Sequence, residues 1–215
     1  AITFLKDMYE KRREWEKLIE VHKREVETFK SAAEKAAGLK LIADLATDKL
    51  RKPEVAAELW IEVRKQAPED SDALEALEKI YEKTKDFAAL ADILETKARL
   101  EADPENRLKL FGKLAPLYSD RLDDLDAAVR TWRSALEIAP DDLKAKKSLE
   151  RLYIDNSRWN ELESFYGESD SWAELVRLLE TLANTVKEDS TKIDLLVRAA
   201  RAWRERLDDT SRAER

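Results

Sequence analysis

The chain has 215 residues, 43% apolar and 40% charged, with three Gly, five Pro and no Cys. This is the composition of helices with one packed and one solvated face, and the missing Cys excludes disulfides and thiolate metal sites. The formal net charge is −7 and no third of the chain is basic, which argues against the clustered Lys and Arg that nucleic acid binding requires.

No apolar run approaches the ~18 residues of a membrane span. The opening AITFLKDMYE has neither an initiator Met nor a charged leader with an apolar core, so no targeting segment is read. These residues already share the repeat pattern of the chain after them. The expectation is therefore a piece of a longer protein, whose compartment this stretch does not report and is taken as cytoplasmic by default.

Taken in order, residues 2 to 30 read as a helix pair. Leu5, Met8 and Tyr9 line the first helix, and Trp15, Leu18, Ile19, His22, Val26 and Phe29 give the second its three-and-four spacing. His22, the single histidine, lies on that stripe without Cys or His neighbours at metal-ligand spacing, and reads as a packed helix residue. A helix from Ala32 to Leu50 carries Leu39, Ile42, Ala43 and Ala46. Pro53 then opens the next helix in the first turn, where its missing N–H costs nothing. That helix presents Ala56, Trp60 and Val63 and stops before Pro68, which cannot continue it. Further helices are predicted at 71 to 84, 86 to 101, 104 to 121 and 125 to 138. Pro116 lies four residues after Gly112 inside the third of these, where a kink is expected.

The pattern returns after seventy-two residues. Tyr9, Tyr81 and Tyr153 are in register, as are Trp15, Phe87 and Trp159, Trp60 with Trp132, and Pro68 with Pro140. This predicts units of about 1–70, 71–142 and 143–215. The third unit departs from register. Gly167 interrupts the helix begun at Trp159, and Ser171 to Glu174 open a fresh one with a capping-box pattern. Thereafter Leu196, Ala199, Ala200 and Trp203 match Phe111, Leu114, Ala115 and Tyr118 at an offset of eighty-five, so a half-helix of thirteen residues is inserted near 158–170. The chain stops where the preceding unit enters its second helix, and an uncapped apolar surface is expected there.

Phe111, Leu114, Ala115 and Tyr118, followed by Ala128, Trp132, Ala135 and Pro140, resemble the tetratricopeptide repeat (TPR) pattern W-x2-L-G-x2-Y, A-x3-F, P. The resemblance is strong in the second hairpin of each unit. In the first, Leu74, Leu77 and Tyr81 fit, but Glu78 stands where a small residue is usual. It implies an all-α, right-handed α-solenoid of about six TPR-like hairpins in a 72-residue double-hairpin period. The alternating form is similar to long bacterial repeat proteins, and the aromatic-rich hairpins also resemble half-a-TPR scaffolds of RNA processing.

The resemblance implies a non-enzymatic scaffold that binds protein or peptide partners on the concave face made by the first helix of each hairpin. Inward positions are then Lys40, Asp44, Glu75, Lys79, Glu82, Lys113, Lys147, Arg151, Arg201 and Arg204. The candidate partner-binding cations are Lys79, Lys113, Lys147, Arg151, Arg201 and Arg204, with the last four suggesting an acidic peptide. No hairpin has the cation-and-amide set of the family's chaperone-tail clamp. Self-association through array ends or the Trp159 to Trp172 aromatics is the alternative, and an RNA scaffold ranks below both. No cofactor, metal or catalytic residue is assigned: Gly-rich phosphate loops, His/Asp/Ser constellations and HExxH are missing from the sequence. Asp123, Asp124, Asp126, Asp141 and Asp142 read as loop and helix N-terminal carboxylates.

Overall fold

The computed structural model describes residues 2–50 and 52–215, and every regular element among them is an α-helix. In order these are α1 (Ile2–Lys11), α2 (Trp15–Glu27), α3 (Ala32–Lys49), α4 (Pro53–Gln66), α5 (Ser71–Thr84), α6 (Phe87–Leu100), α7 (Pro104–Arg121), α8 (Leu125–Ile138), α9 (Leu143–Asp155), α10 (Trp159–Gly167), α11 (Trp172–Thr185), α12 (Asp189–Glu205) and α13 (Thr210–Glu214). The chain divides into two compact units, 1–145 and 146–215.

The helix starts have local causes. Pro53 and Pro104 occupy first-turn positions. Asp70, Asp86, Asp103, Asp124 and Asp209 each turn a carboxylate oxygen onto a backbone N–H two or three residues on, at 2.9 to 3.1 Å. Asp142 does the same for Lys144 at 2.8 Å. The acids read from sequence as loop and helix N-terminal carboxylates thus include two helix caps, Asp124 and Asp142. Ser171 differs. Its hydroxyl lies 3.0 Å from that of Ser169 and makes no cap bond to α11, so the predicted capping box does not form there. A box geometry appears instead at α3, where Glu34 accepts from the Ser31 N–H at 3.4 Å.

In the first unit each helix packs on the next in the chain. Ile42, Ala43 and Ala46 of α3 meet Ala56, Trp60 and Val63 of α4, and Leu74 and Leu77 of α5 join the same core. The small residues let helices approach and the rings fill the remaining space. Trp60 is almost wholly buried, yet its indole N–H is satisfied by the Thr47 hydroxyl at 2.9 Å. Gly38 is required by close approach, because a Cβ there would lie 2.4 Å from Val26 Cγ2 on α2. Helix α7 runs through Pro116 without interruption.

The turns repeat more faithfully than the side chains. Arg13, Lys85, Ser157 and Asp170 are left-handed residues with φ between 51° and 60°. Each precedes by two positions the ring that starts a helix: Trp15, Phe87, Trp159 and Trp172. Four positions before each stands a tyrosine whose carbonyl accepts from the residue five on: Tyr9, Tyr81, Tyr153 and Tyr166, at 2.8 to 3.2 Å. A second turn type, at Leu122 to Asp124, recurs at Leu207 to Asp209 with left-handed Asp123 and Asp208. The chain therefore makes the first turn twice around α10.

In the second unit α10 buries one side chain, Leu162. It is further held by the Tyr166 hydroxyl on Glu150 at 2.5 Å and by Phe165, whose ring lies 6.2 Å from Tyr153. Gly167 ends α10 because Trp172 leans on its backbone: a Cβ at this position would sit 2.8 Å from the indole. Arg206 stacks on the far end of the same arrangement, 4.7 Å from the Trp172 ring centroid.

Candidate functional site

The first helices of successive hairpins in the first unit are joined by side chains. Lys40 of α3 reaches Asp70 at 2.9 Å and Asp72, in the first turn of α5, at 2.5 Å. Lys113 of α7 reaches Glu78 of α5 at 2.8 Å and approaches Glu82 at 3.9 Å. These links tie α3 to α5 and α5 to α7.

Between α3, α4 and α5 lies a groove of about 410 Å³. Its floor is Ala46, Ala56, Trp60, Ala76 and Ile80, and its walls carry Asp44, Asp72 and Glu75 against Lys52, Lys79 and Lys83. The charges balance, so the groove offers apolar area with polar rims of both signs. Burial raises the Asp44 carboxyl above its ordinary value, with Asp48 and Asp72 adding to the effect and Lys40 opposing it. Lys40 is raised by its hydrogen bonds to Asp72 and Asp70 and stays charged.

Glu78, which departs from the repeat pattern, has a structural explanation. It is buried, and its two oxygens accept from Lys97 of α6 at 2.5 Å and Lys113 of α7 at 2.8 Å. Burial alone would raise its carboxyl, but the two lysines outweigh that and hold it below the usual glutamate value. An acid in place of a small residue is thus a three-helix junction. Sequence reasoning missed it because the partners lie 19 and 35 residues away.

The predicted cations have different surroundings. Lys79 is exposed on the groove wall, whereas Lys113 is engaged by Glu78 and Glu82. In the second unit Arg151 is bridged to Asp155 on its own helix at 3.2 Å, and Arg204 to Glu205 at 2.9 Å. Lys147 and Arg201 are exposed on α9 and α12. Helix α12 also exposes Ile193, Leu196 and Val197, at 62, 43 and 50%. His22 lies among helix neighbours, 3.8 Å from Glu25, and burial together with Lys6 lowers its pKa, so it is neutral at pH 7.

Among the described residues no group of three His, Cys, Asp or Glu side chains is placed to hold a metal, and no helix is long and apolar enough to cross a membrane.

A family model described as tetratricopeptide repeat matches residues 1–28 and 73–108. These segments carry α1 and α2, then α5, α6 and the start of α7. They include the hairpin in which Glu78 breaks the expected pattern, while the sequence resemblance is strongest in the alternate one. Among solved structures, the chain is similar to MamA, at 16% identity over 77% of this chain and 86% of that one, with a TM-score of 0.41. It is similar to YrrB, described as a TPR protein with an unusual peptide-binding site, at 12% identity over 84% and 92%, TM-score 0.41. It is also similar to the C-terminal part of a TPR repeat-containing protein from Cytophaga hutchinsonii, at 15% identity over 97% and 95%, TM-score 0.40. No curated protein sequence matches the chain.

Proposed function

We propose that this TPR-like helical repeat chain is a non-enzymatic scaffold holding a peptide segment of a partner along α3, α5 and α7. The observation that carries this reading is the side-chain linkage of α3 to α5 and of α5 to α7, beside the 410 Å³ groove among α3, α4 and α5. A groove with an apolar floor and rims of both signs suits an extended segment that buries a small or aliphatic side chain and pairs its flanking charges. Lys79 supplies a cation on the groove wall, together with Lys52 and Lys83. Lys147, Arg151, Arg201 and Arg204 are proposed as further contacts for acidic residues of a partner.

The test is a peptide-display selection on the purified protein, repeated with Ala76→Trp, which fills the groove from α5. Selected peptides are expected to bind the variant about ten-fold more weakly, as befits the loss of one buried anchor. Peptides that bind both proteins equally would overturn the groove as the site.

A further inference from the structure

Three notches occupy equivalent places in the repeat, each formed by the helix before a long hairpin and the two helices of that hairpin. The first, about 560 Å³, lies among α2, α3 and α4; the second, about 550 Å³, among α6, α7 and α8; the third, about 300 Å³, among α11, α12 and α13. Lys23, Glu95 and Glu180 correspond, as do Leu39, Phe111 and Leu196, and Glu58, Arg130 and Arg215. None of these side chains lines the α3–α4–α5 groove.

The position is kept while its charge changes. The first notch balances Lys23, Lys35 and Lys65 against Glu27, Glu58 and Glu62, with Lys65 and Glu62 paired at 2.5 Å. In the second, all three carboxylates are gone: Glu27 becomes Arg99, Glu58 becomes Arg130 and Glu62 becomes Ser134. Two acids arrive in exchange, at Glu95 and Glu137. Glu95 is committed, since the Tyr118 hydroxyl donates to it; burial, and then this hydrogen bond, raise the tyrosine pKa. The equivalent Glu180 is committed likewise, to the Trp203 indole N–H at 2.9 Å. This acid serves the ring of the following helix while keeping its charge, so the second notch is lined by Arg99, Arg107 and Arg130 against Glu95 and Glu137, one positive charge in excess.

Each guanidinium can be placed. Arg107 spends Nε and Nη2 on the Glu101 carbonyl, so it fixes the entry to α7 while keeping its charge. Arg99 makes one long contact to Glu69, 3.4 Å, with both side chains over 60% exposed, which holds little energy against a better partner. Arg130 is exposed and has no carboxylate partner among the described residues. Phe111 and Leu114 form the floor.

We propose that the α6–α7–α8 notch is a second peptide site, which takes an acidic segment with one aliphatic or aromatic side chain seated on Phe111 and its carboxylates on Arg99 and Arg130. The acidic character of the occupant follows from charge complementarity: on a chain of net charge −7, this notch sets three guanidinium groups against two carboxylates where the first notch is balanced, which disfavours basic segments. Guanidinium forks suit carboxylates in two-point geometry.

The test uses fluorescence anisotropy with a labelled peptide of Asp and Glu around a central Leu, and a control with Lys and Arg in place of the acids. The acidic probe is expected to bind and the basic one not, with affinity falling as salt rises. Arg99→Glu combined with Arg130→Glu should weaken the acidic probe about ten-fold, and the milder Arg99→Gln with Arg130→Gln should weaken it in the same direction with an unchanged thermal melt. Ala76→Trp should leave it unaltered, which separates this site from the groove. Equal binding of the two probes, no binding of the acidic one, or loss through Ala76→Trp instead of the arginine variants would each overturn the proposal.

Discussion

Between Tyr81 and Phe87 the chain makes its tyrosine-to-ring turn once; between Tyr153 and Trp172 it makes the same turn twice, with α10 in between. Both regions use a left-handed residue two positions before the ring and a backbone bond from the residue after it to the tyrosine carbonyl. They differ in the helix that the turn opens. Helix α6 buries Leu90, Ala91, Ile93, Leu94, Thr96 and Ala98, whereas α10 buries Leu162 alone. The turn is thus a self-contained unit whose geometry does not depend on a long helix behind it. A repeat can accept thirteen extra residues when they bring a complete turn of their own.

The strongest way to break this comparison is to remove the insert. Deleting residues 158–170 joins Ser157 to Ser171 and restores the single spacing from Tyr153 to Trp172. The shortened chain should still unfold cooperatively, with a loss of about 2 kcal/mol from the burial of Leu162. A broad, non-cooperative melt would mean that α10 is a necessary wall and not an insert.

A smaller effect sharpens the role of Gly167. Gly167→Ala forces a Cβ to within 2.8 Å of Trp172 and should cost about 1–3 kcal/mol in urea unfolding. Gly112→Ala is its contrast, since the added Cβ meets only the flexible end of Lys144 at 3.2 Å. It should stabilise by up to ~1 kcal/mol through helix propensity. Equal effects at the two sites would show that the indole is not seated on Gly167.

The smallest effect concerns the turn itself. Lys85 holds φ 60° and ψ 30° without being Gly, a conformation that costs a side-chain-bearing residue about 1 kcal/mol. Lys85→Gly should therefore raise stability by roughly 0.5 kcal/mol once the unfolded-state entropy of glycine is deducted. Ser157→Gly should behave alike if the turns are equivalent. Opposite signs would show that they are not.

Much of the fold was legible because helix boundaries are decided locally. Pro53, Pro68 and the Asp caps act within a turn of where they stand, and the predicted helix at 86 to 101 needed only one residue trimmed at each end. The doubled turn was half legible. Gly167 announced a break, and Tyr166 stands six residues before Trp172 as Tyr153 does before Trp159, a signal that names the duplicated part. The capping box expected at Ser171 is lost because Ser169, two residues away, competes for the same hydroxyl. The candidate site was legible only as a row of charges. Whether Lys40 and Lys113 are free depends on Asp72 and Glu78, which local spacing does not place beside them.

Glu78 couples positions 78, 97 and 113 on three helices. A lone Lys97→Glu would set two acids against one base in a buried junction, whereas a lone Glu78→Ala would turn two structural cations out to water. The second substitution restores the small residue usual at that place in the repeat, yet it would loosen the frame that joins α5, α6 and α7. At this junction, an acid that departs from the repeat pattern is what ties α5, α6 and α7 together.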